Sequence, residues 1–336
     1  MKRLAVLAAL VTVAFSVVFT GSPAHATFPG KDGRISFRRY LNKAHSRGAI
    51  FSVRPDGTGE RQITYPKPGV NDFEQDWSPN GRWIAFQRQG GPRHGDGDLF
   101  KIGANGTHRT YLSGTCTGRC AADFSPFWSP SGKRISFSRW ISTSPPSGNC
   151  CFTAVFIMHA DGTHVRQVTQ GGASKHHYSG LEDYNPVWSP DGDRFAFERY
   201  SAKRDKHAIF TVHLDGTHLH RITPWWLDGA EPDWSPNGRW IFFRSKKECD
   251  NCGNIWLVHP GGRGLRAVTH TPAGKGKWFS GSFSPNGLRI TAAKAPGQGS
   301  AGNADVYIMH LDGSHRRNLT KSSPWESYPD WGPRPT

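Results

Sequence analysis

Beyond residue 19 the chain has no apolar run approaching the ~20 residues that a membrane-crossing helix needs, so no transmembrane segment is expected in the mature protein. Acidic residues are scarce: 26 Asp and Glu stand against 42 Lys and Arg, a formal net charge of +16. Yet no block of five or more basic residues occurs. Lys and Arg are scattered through turns and strand faces, which reads as a solvated surface, and nucleic-acid binding is not expected. No Gly-x-Ser-x-Gly nucleophile elbow is present, which argues against a serine peptidase. Histidine is plentiful at sixteen, but metal-ligand spacing is missing from most of it. His159, His213, His259 and His310 each stand two residues before a turn, and His108, His164, His218 and His315 follow one.

The one long apolar run, residues 4 to 19, follows Lys2 and Arg3 and leads to Ala24-His25-Ala26. It reads as a secretory signal peptide over residues 1–26, cut before Thr27, the alternative being an uncleaved membrane anchor. No Cys follows the cleavage site, so a lipid anchor is not indicated. The protein is expected to be exported: secreted, periplasmic or associated with the cell wall. Without Lys2 and Arg3, 40 basic residues face 26 acidic ones, a net charge of +14.

A unit of four short strands recurs along the rest of the chain. Its fullest copy starts at Asp183-Tyr-Asn-Pro-Val-Trp-Ser-Pro-Asp-Gly, continues through Phe195 and Phe197, and runs by Ile209 and Val212 into Asp215-Gly216 and Ile222. Apolar and polar residues alternate around tight turns, where Gly supplies the positive φ of a hairpin. Two anchors count the copies. The first is Trp-Ser-Pro-x-Gly at Trp77, Trp128, Trp188 and Trp234, weakened at Phe283 and reduced to Trp-Gly-Pro at Trp331, with spacings of 51, 60, 46, 49 and 48 residues. The second is a turn followed eight residues later by Thr or Ser: Thr64, Ser113, Thr169, Thr223, Thr269 and Thr320. Four strands at such a period are the signature of a β-propeller blade.

These residues resemble the WD40-like PD40 repeat of the propeller domain of TolB. The same repeat type occurs in propellers of prolyl oligopeptidase relatives, tricorn-type proteases and oligogalacturonate lyases. The resemblance covers nearly all of residues 30 to 336, although the Gly-His…Trp-Asp pair of true WD40 repeats is missing and no counterpart of the N-terminal α/β domain of TolB is expected. It implies an all-β fold, a six-bladed β-propeller of four-stranded antiparallel blades, forming a single domain over residues 27–336. Tyr328-Pro-Asp-Trp-Gly-Pro333 reads as a first strand without sequel, and Asp32-Gly-Arg-Ile-Ser-Phe37 as a second strand without predecessor. Joined, the N- and C-terminal strands would share one blade and close the ring.

In such a fold the anchor tryptophans belong to the core, together with Phe86, Phe137, Phe197 and Phe243, and chemistry belongs to the loops. Just before the inner strands stand Asp72, Glu74, Asp76, Asp123, Glu182, Asp183, Glu231, Asp233, Glu326 and Asp330. These carboxylates either cap turns and pair with Arg, or form an acidic mouth for a divalent cation or a cationic group of a partner. The same loops carry His176, His177, Tyr178, Trp225, Trp226, Trp278 and Trp325, which either stack on a sugar or peptide or fill gaps between blades. The six cysteines, Cys116, Cys120, Cys150, Cys151, Cys249 and Cys252, suggest disulfides in an exported chain, with a zinc cluster as alternative. Cys116 and Cys120 are expected to bond crosswise to Cys150 and Cys151, in either order, and Cys249 to Cys252. Two functions remain open. One is a non-catalytic, monomeric scaffold, without cofactor, that binds a protein, peptide or cell-envelope glycan through its looped face. The other is a metal-dependent polysaccharide lyase or hydrolase, as in oligogalacturonate lyases, using the carboxylates and His176/His177.

Overall fold

Both anchors act through hydroxyl groups that cap backbone N–H groups. In the first, the serine hydroxyl accepts the N–H five residues on: Trp83 to Ser78 at 2.9 Å, Arg134 to Ser129 at 3.0 Å, Arg194 to Ser189 at 3.0 Å, Trp240 to Ser235 at 2.8 Å and Arg289 to Ser284 at 3.0 Å. The glycine that completes each of these turns is left-handed, φ 64 to 76° from Gly81 to Gly192, which is why a side chain is excluded there. In the second anchor the Thr or Ser hydroxyl accepts an N–H fourteen residues earlier, as in Ile50 to Thr64 at 3.0 Å and Ile209 to Thr223 at 2.8 Å, and the same bond recurs in every copy. That bond holds the end of a fourth strand only two residues long.

The computed structural model describes residues 29–90, 97–114, 120–142, 151–171, 180–247, 253–297 and 303–335, with backbone alone at residues 120, 121, 142 and 151. The signal-peptide reading therefore lies outside the described residues. So do His176, His177, Tyr178, Cys116, Cys150, Cys249 and Cys252.

Twenty-four strands follow one another among the described residues. The first three are β1 (Asp32–Tyr40), β2 (Gly48–Val53) and β3 (Arg61–Gln62). Then come β4 (Val70–Trp77), β5 (Trp83–Gly90), β6 (Asp98–Gly103) and β7 (Thr110–Tyr111), followed by β8 (Cys120–Trp128), β9 (Arg134–Ser142), β10 (Cys151–His159) and β11 (Arg166–Gln167). The next four are β12 (Leu181–Trp188), β13 (Arg194–Ser201), β14 (Lys206–His213) and β15 (His220–Arg221), and after a 3-10 turn at Trp225–Leu227 come β16 (Gly229–Trp234), β17 (Ile241–Ser245), β18 (Asn254–Val258) and β19 (Arg266–Ala267). Last are β20 (Lys277–Phe283), β21 (Arg289–Ala295), β22 (Asp305–His310), β23 (Arg317–Asn318) and β24 (Glu326–Pro333). Four sheets are simple antiparallel quartets in chain order, β8 to β11 through β20 to β23. In the remaining eight-stranded sheet, the quartets β24-β1-β2-β3 and β4-β5-β6-β7 touch through a single parallel bridge, Gly48 to Asn71. β24 pairs with β1 over Ile35↔Trp331 and Ser36↔Asp330, joining the two ends of the chain.

The inner strands β4, β8, β12, β16, β20 and β24 touch one another in that order, and β24 also touches β4. Basic side chains on the outer strands reach the turn of the next quartet: Arg61 to Ala104 O at 3.0 Å, Lys101 to Ala160 O at 2.6 Å, Arg166 to Leu214 O at 2.9 Å, Arg266 to Leu311 O at 3.1 Å and Arg317 to Asp56 O at 3.0 Å. The anchor rings fill the gaps between quartets. Trp77, Trp128, Trp188, Trp234, Phe283 and Trp331 are all buried, as are Phe86, Phe137, Phe197 and Phe243.

Cys120 and Cys151 open β8 and β10. Extended pairing to β9 continues to Ile141 and Ser142, which draws both residues into the sheet.

Candidate functional site

Apart from Glu182, the candidate carboxylates fall into three tiers, set by their distance from the anchor ring. Five residues before the anchor stand Asp72, Asp123, Asp183 and Glu326. Asp72 forks onto Arg88 at 2.6 and 2.8 Å, Asp123 onto Arg139 at the same distances and Asp183 onto Arg199 likewise. Each pair is a directly opposed cross-strand pair and is buried. Glu326, also buried, meets Arg39 at 2.5 Å, and Arg39 in turn meets Glu60. Burial pushes the Asp123 carboxyl up against the opposing pull of Arg139, and burial likewise raises Glu326 against Arg39. At the same position in the fifth quartet stands Trp278, opposite Lys294, whose ammonium lies 5.3 Å from the indole. Trp278 is fully buried and donates to Thr271, so it packs the sheet instead of standing in a surface loop.

Three residues before the anchor, every inner strand has a bulge residue in the left-handed region: Glu74, Ser125, Asn185, Glu231, Ser280 and Tyr328, with φ between 42 and 55°. A side chain there costs about 1–2 kcal/mol, and the bulge turns it toward the common axis. Their strained N–H groups are satisfied from the preceding quartet: Ser125 by Glu74 at 3.0 Å, Ser280 by Glu231 at 2.7 Å, Glu231 by Glu198 at 3.0 Å and Asn185 by the Ser138 hydroxyl at 3.1 Å.

One residue before the anchor, Asp76 accepts the Trp128 N–H at 2.6 Å, Asp233 that of Phe283 at 2.7 Å, Asp330 that of Trp77 at 2.9 Å and the Ser282 hydroxyl that of Trp331 at 2.8 Å. Phe127 and Val187 take the two remaining places and cannot make that bond. An axial cavity of about 60 Å³ lies among the last two tiers. Burial raises the Glu74 carboxyl to about 7, Ser125 opposing, and the Asp330 carboxyl to about 6. Burial lifts Asp76 well above the carboxylate range, helped by the Asp330 charge, and does the same to Asp233. Near neutrality the axis therefore carries less negative charge than its composition suggests.

Beside the axis, on the side where the inner strands begin, opens a larger cavity of about 350 Å³. Glu74, Glu182, Glu198 and Glu231 line it together with Phe124, Tyr184 and Tyr200, and Arg244 and His207 also stand on its wall. Arg244 is taken by Glu231 at 3.1 and 3.2 Å. His207 lies between Asp228 at 2.9 Å and Glu198 at 3.4 Å. Burial opposes ionisation of Asp228, but hydrogen bonds from the His207 side chain and backbone outweigh it and hold the carboxyl at about 2. Tyr184 donates its hydroxyl to Glu182, and Asn185 donates to Glu198 at 2.9 Å.

Of the residues singled out from the sequence, Glu74, Glu182 and Glu231 meet here. Asp72, Asp123, Asp183 and Glu326 instead brace their own sheets. Trp325 lines a separate cleft of about 460 Å³ with Tyr40 and His45. Trp226 is exposed in the 3-10 turn with Lys247 over its ring, and Trp225 packs on Phe210. Among the described residues no group of three or more His, Cys, Asp or Glu is arranged to hold a metal ion. Sequence reasoning missed Glu198, His207, Tyr184 and Tyr200. Only the fixed offset from the anchor points to Asn185 and the other bulge residues.

Repeated four-stranded antiparallel sheets packed around an axis, with almost no helix, define a TolB-like propeller fold. The TolB homolog of Chlorobium luteolum is 30% identical over 183 residues, 54% of this chain and 36% of the homolog. TolB from Acinetobacter baumannii superposes with a TM-score of 0.67 at 19% identity, covering 90% of this chain and 67% of that one. A putative TolB from Agrobacterium tumefaciens gives 0.61 at 19% identity, covering 89% and 99%. No family model matches the chain. The matches span between 18% and 47% of the length of the curated relatives.

Proposed function

We propose that this protein is an exported, non-catalytic propeller whose looped face captures a cationic segment of a partner polypeptide. The observation that carries the reading is the 350 Å³ cavity, where four glutamates and three aromatic rings converge in a protein with a formal net charge of +16. Carboxylates beside tyrosine and phenylalanine faces suit a guanidinium or ammonium group, which gains charge-assisted hydrogen bonds and cation–π contact together. Arg244 does not repel such a group strongly, because Glu231 neutralises it. A six-bladed ring closed by the chain's two ends would hold the cavity rigid. That closure is supported by the pairing of β24 with β1, by the bond from Trp77 to Asp330 and by the reach of Arg317 to Asp56. Kinship with a protein named as part of the Tol-Pal system agrees with a partner-binding role in the cell envelope.

The test is calorimetric titration with a capped peptide of alternating Arg and Gly. Glu182→Gln with Glu198→Gln should weaken binding at least tenfold, and salt should weaken it further. Equal affinity for a Gln-Gly peptide, or no change in the double variant, would remove the reading.

A further inference from the structure

At the opposite end of the sheets, beside the Ser-Pro turns, three hairpins share the pattern His-x-Asp-Gly-Thr/Ser-His: His159-Ala-Asp-Gly-Thr-His164, His213-Leu-Asp-Gly-Thr-His218 and His310-Leu-Asp-Gly-Ser-His315. The register pairs His159 with Arg134, His213 with Arg194 and His310 with Arg289, at the strand ends that adjoin those turns. In each hairpin the two imidazoles stack, with ring centres 4.2, 4.5 and 4.4 Å apart and planes 25 to 31° from parallel.

The second histidine of each pair is left-handed, φ 51 to 55°, and is fixed by a relay. The Thr163 hydroxyl donates to Asp161 at 2.7 Å and lies 2.9 Å from His164 Nδ1. Its proton is committed to the carboxylate, so it can only accept from the ring, and Nδ1 carries the hydrogen. Thr217 repeats this between Asp215 at 2.7 Å and His218 at 2.9 Å. Ser314 does so between Asp312 and His315, the latter at 2.9 Å. With Nδ1 protonated, Nε2 of His164, His218 and His315 is a free lone pair. This is the arrangement by which an outer-shell carboxylate orients a metal-binding imidazole.

We propose that each of these turns binds one divalent transition-metal ion of the zinc and copper type through two imidazoles. An ion lies in the plane of each imidazole that binds it, so the first histidine of each pair must turn out of the stack while the relay holds the second; with metal–nitrogen bonds of ~2.1 Å the two ring centres then stand about 4.5–5 Å apart, close to the separation already present. Two protein ligands leave the remaining positions to water or to a donor from another molecule. The chain contains its own control: His108 has the same relay, with Thr107 and Asn105, but Gly103 stands where the second imidazole would be.

Equilibrium dialysis of the whole protein against Zn²⁺ or Cu²⁺ tests the proposal. Three equivalents should be lost together in His164→Asn/His218→Asn/His315→Asn, while His108→Asn keeps them. Cu²⁺ should bind more tightly than Zn²⁺, and both should be released as pH falls from about 7 to 5. Thr163→Val/Thr217→Val/Ser314→Ala should weaken the three sites about tenfold or more at unchanged stoichiometry and unchanged melting temperature in chelator. Retention of the three equivalents without the three histidines, or full affinity without the hydroxyls, would overturn it.

Discussion

At Asp183 and Arg199 two opposite charges are held out of water, and each depends on the other. Breaking such a pair leaves an uncompensated buried charge, whereas replacing both members with apolar residues leaves none. Arg199→Met should therefore cost about 3–5 kcal/mol in urea denaturation, and Asp183→Leu with Arg199→Met should recover most of it. Equal losses in the single and double variants would contradict this. The axial carboxyls behave differently. Glu74 and Asp330 bind protons more tightly in the folded chain than when unfolded, with folded values of about 7 and 6. Their stabilisation is complete below about pH 4 and is lost as pH rises through those folded values. Between pH 4 and 7 the stability of Glu74→Gln/Asp330→Asn should consequently depend less on pH than that of the unaltered protein. A parallel profile would show that these groups are not protonated in the fold.

The inner strand is the element on which both the architecture and the candidate site turn. Its anchor ring, its turn and its position in the repeat were legible, because Trp-Ser-Pro-x-Gly and the later Thr state hydrogen bonds that close locally. The bulge was not, since nothing local in Glu74, Ser125, Asn185 and Tyr328 marks a shared left-handed backbone; only the offset of three from the anchor does. The Asp-Arg braces were hidden for a related reason. Asp72 and Arg88 are sixteen residues apart, and only the strand register makes them face one another. Glu198 and His207 come to the cavity from a second and a third strand of one blade, which no spacing along the chain announces. The strands also sharpen the disulfide expectation. Cys120 and Cys151 flank β9 on opposite sides, paired with Ile141 and Ser142, so two interstrand spacings separate them. That is about 9–10 Å between α-carbons, beyond the ~7 Å a disulfide allows. Peptide mapping without reduction should find Cys116 bonded to Cys151 and Cys120 to Cys150; a Cys120 to Cys151 bridge would contradict the register.

For the whole molecule, the pairing of β24 with β1 decides whether the blades form one cooperative unit. β24 contributes Trp331 to the core, Asp330 to β4 and Tyr328 to the axis, so removal of residues 328–336 should lower the melting temperature of the entire domain in a single transition. An unchanged melting temperature would mean that the two ends only touch. A ring of that kind separates two faces, with the glutamate-lined cavity on one and the paired histidines on the other. The most direct measurement is hydrogen exchange on the whole protein with and without the capped Arg-Gly peptide. Protection is expected at residues 181–185, 198–207 and 229–231, and it should be lost in Glu182→Gln/Glu198→Gln. Protection confined to the histidine turns, or none at a saturating peptide concentration, would contradict the assignment of the partner to the looped face.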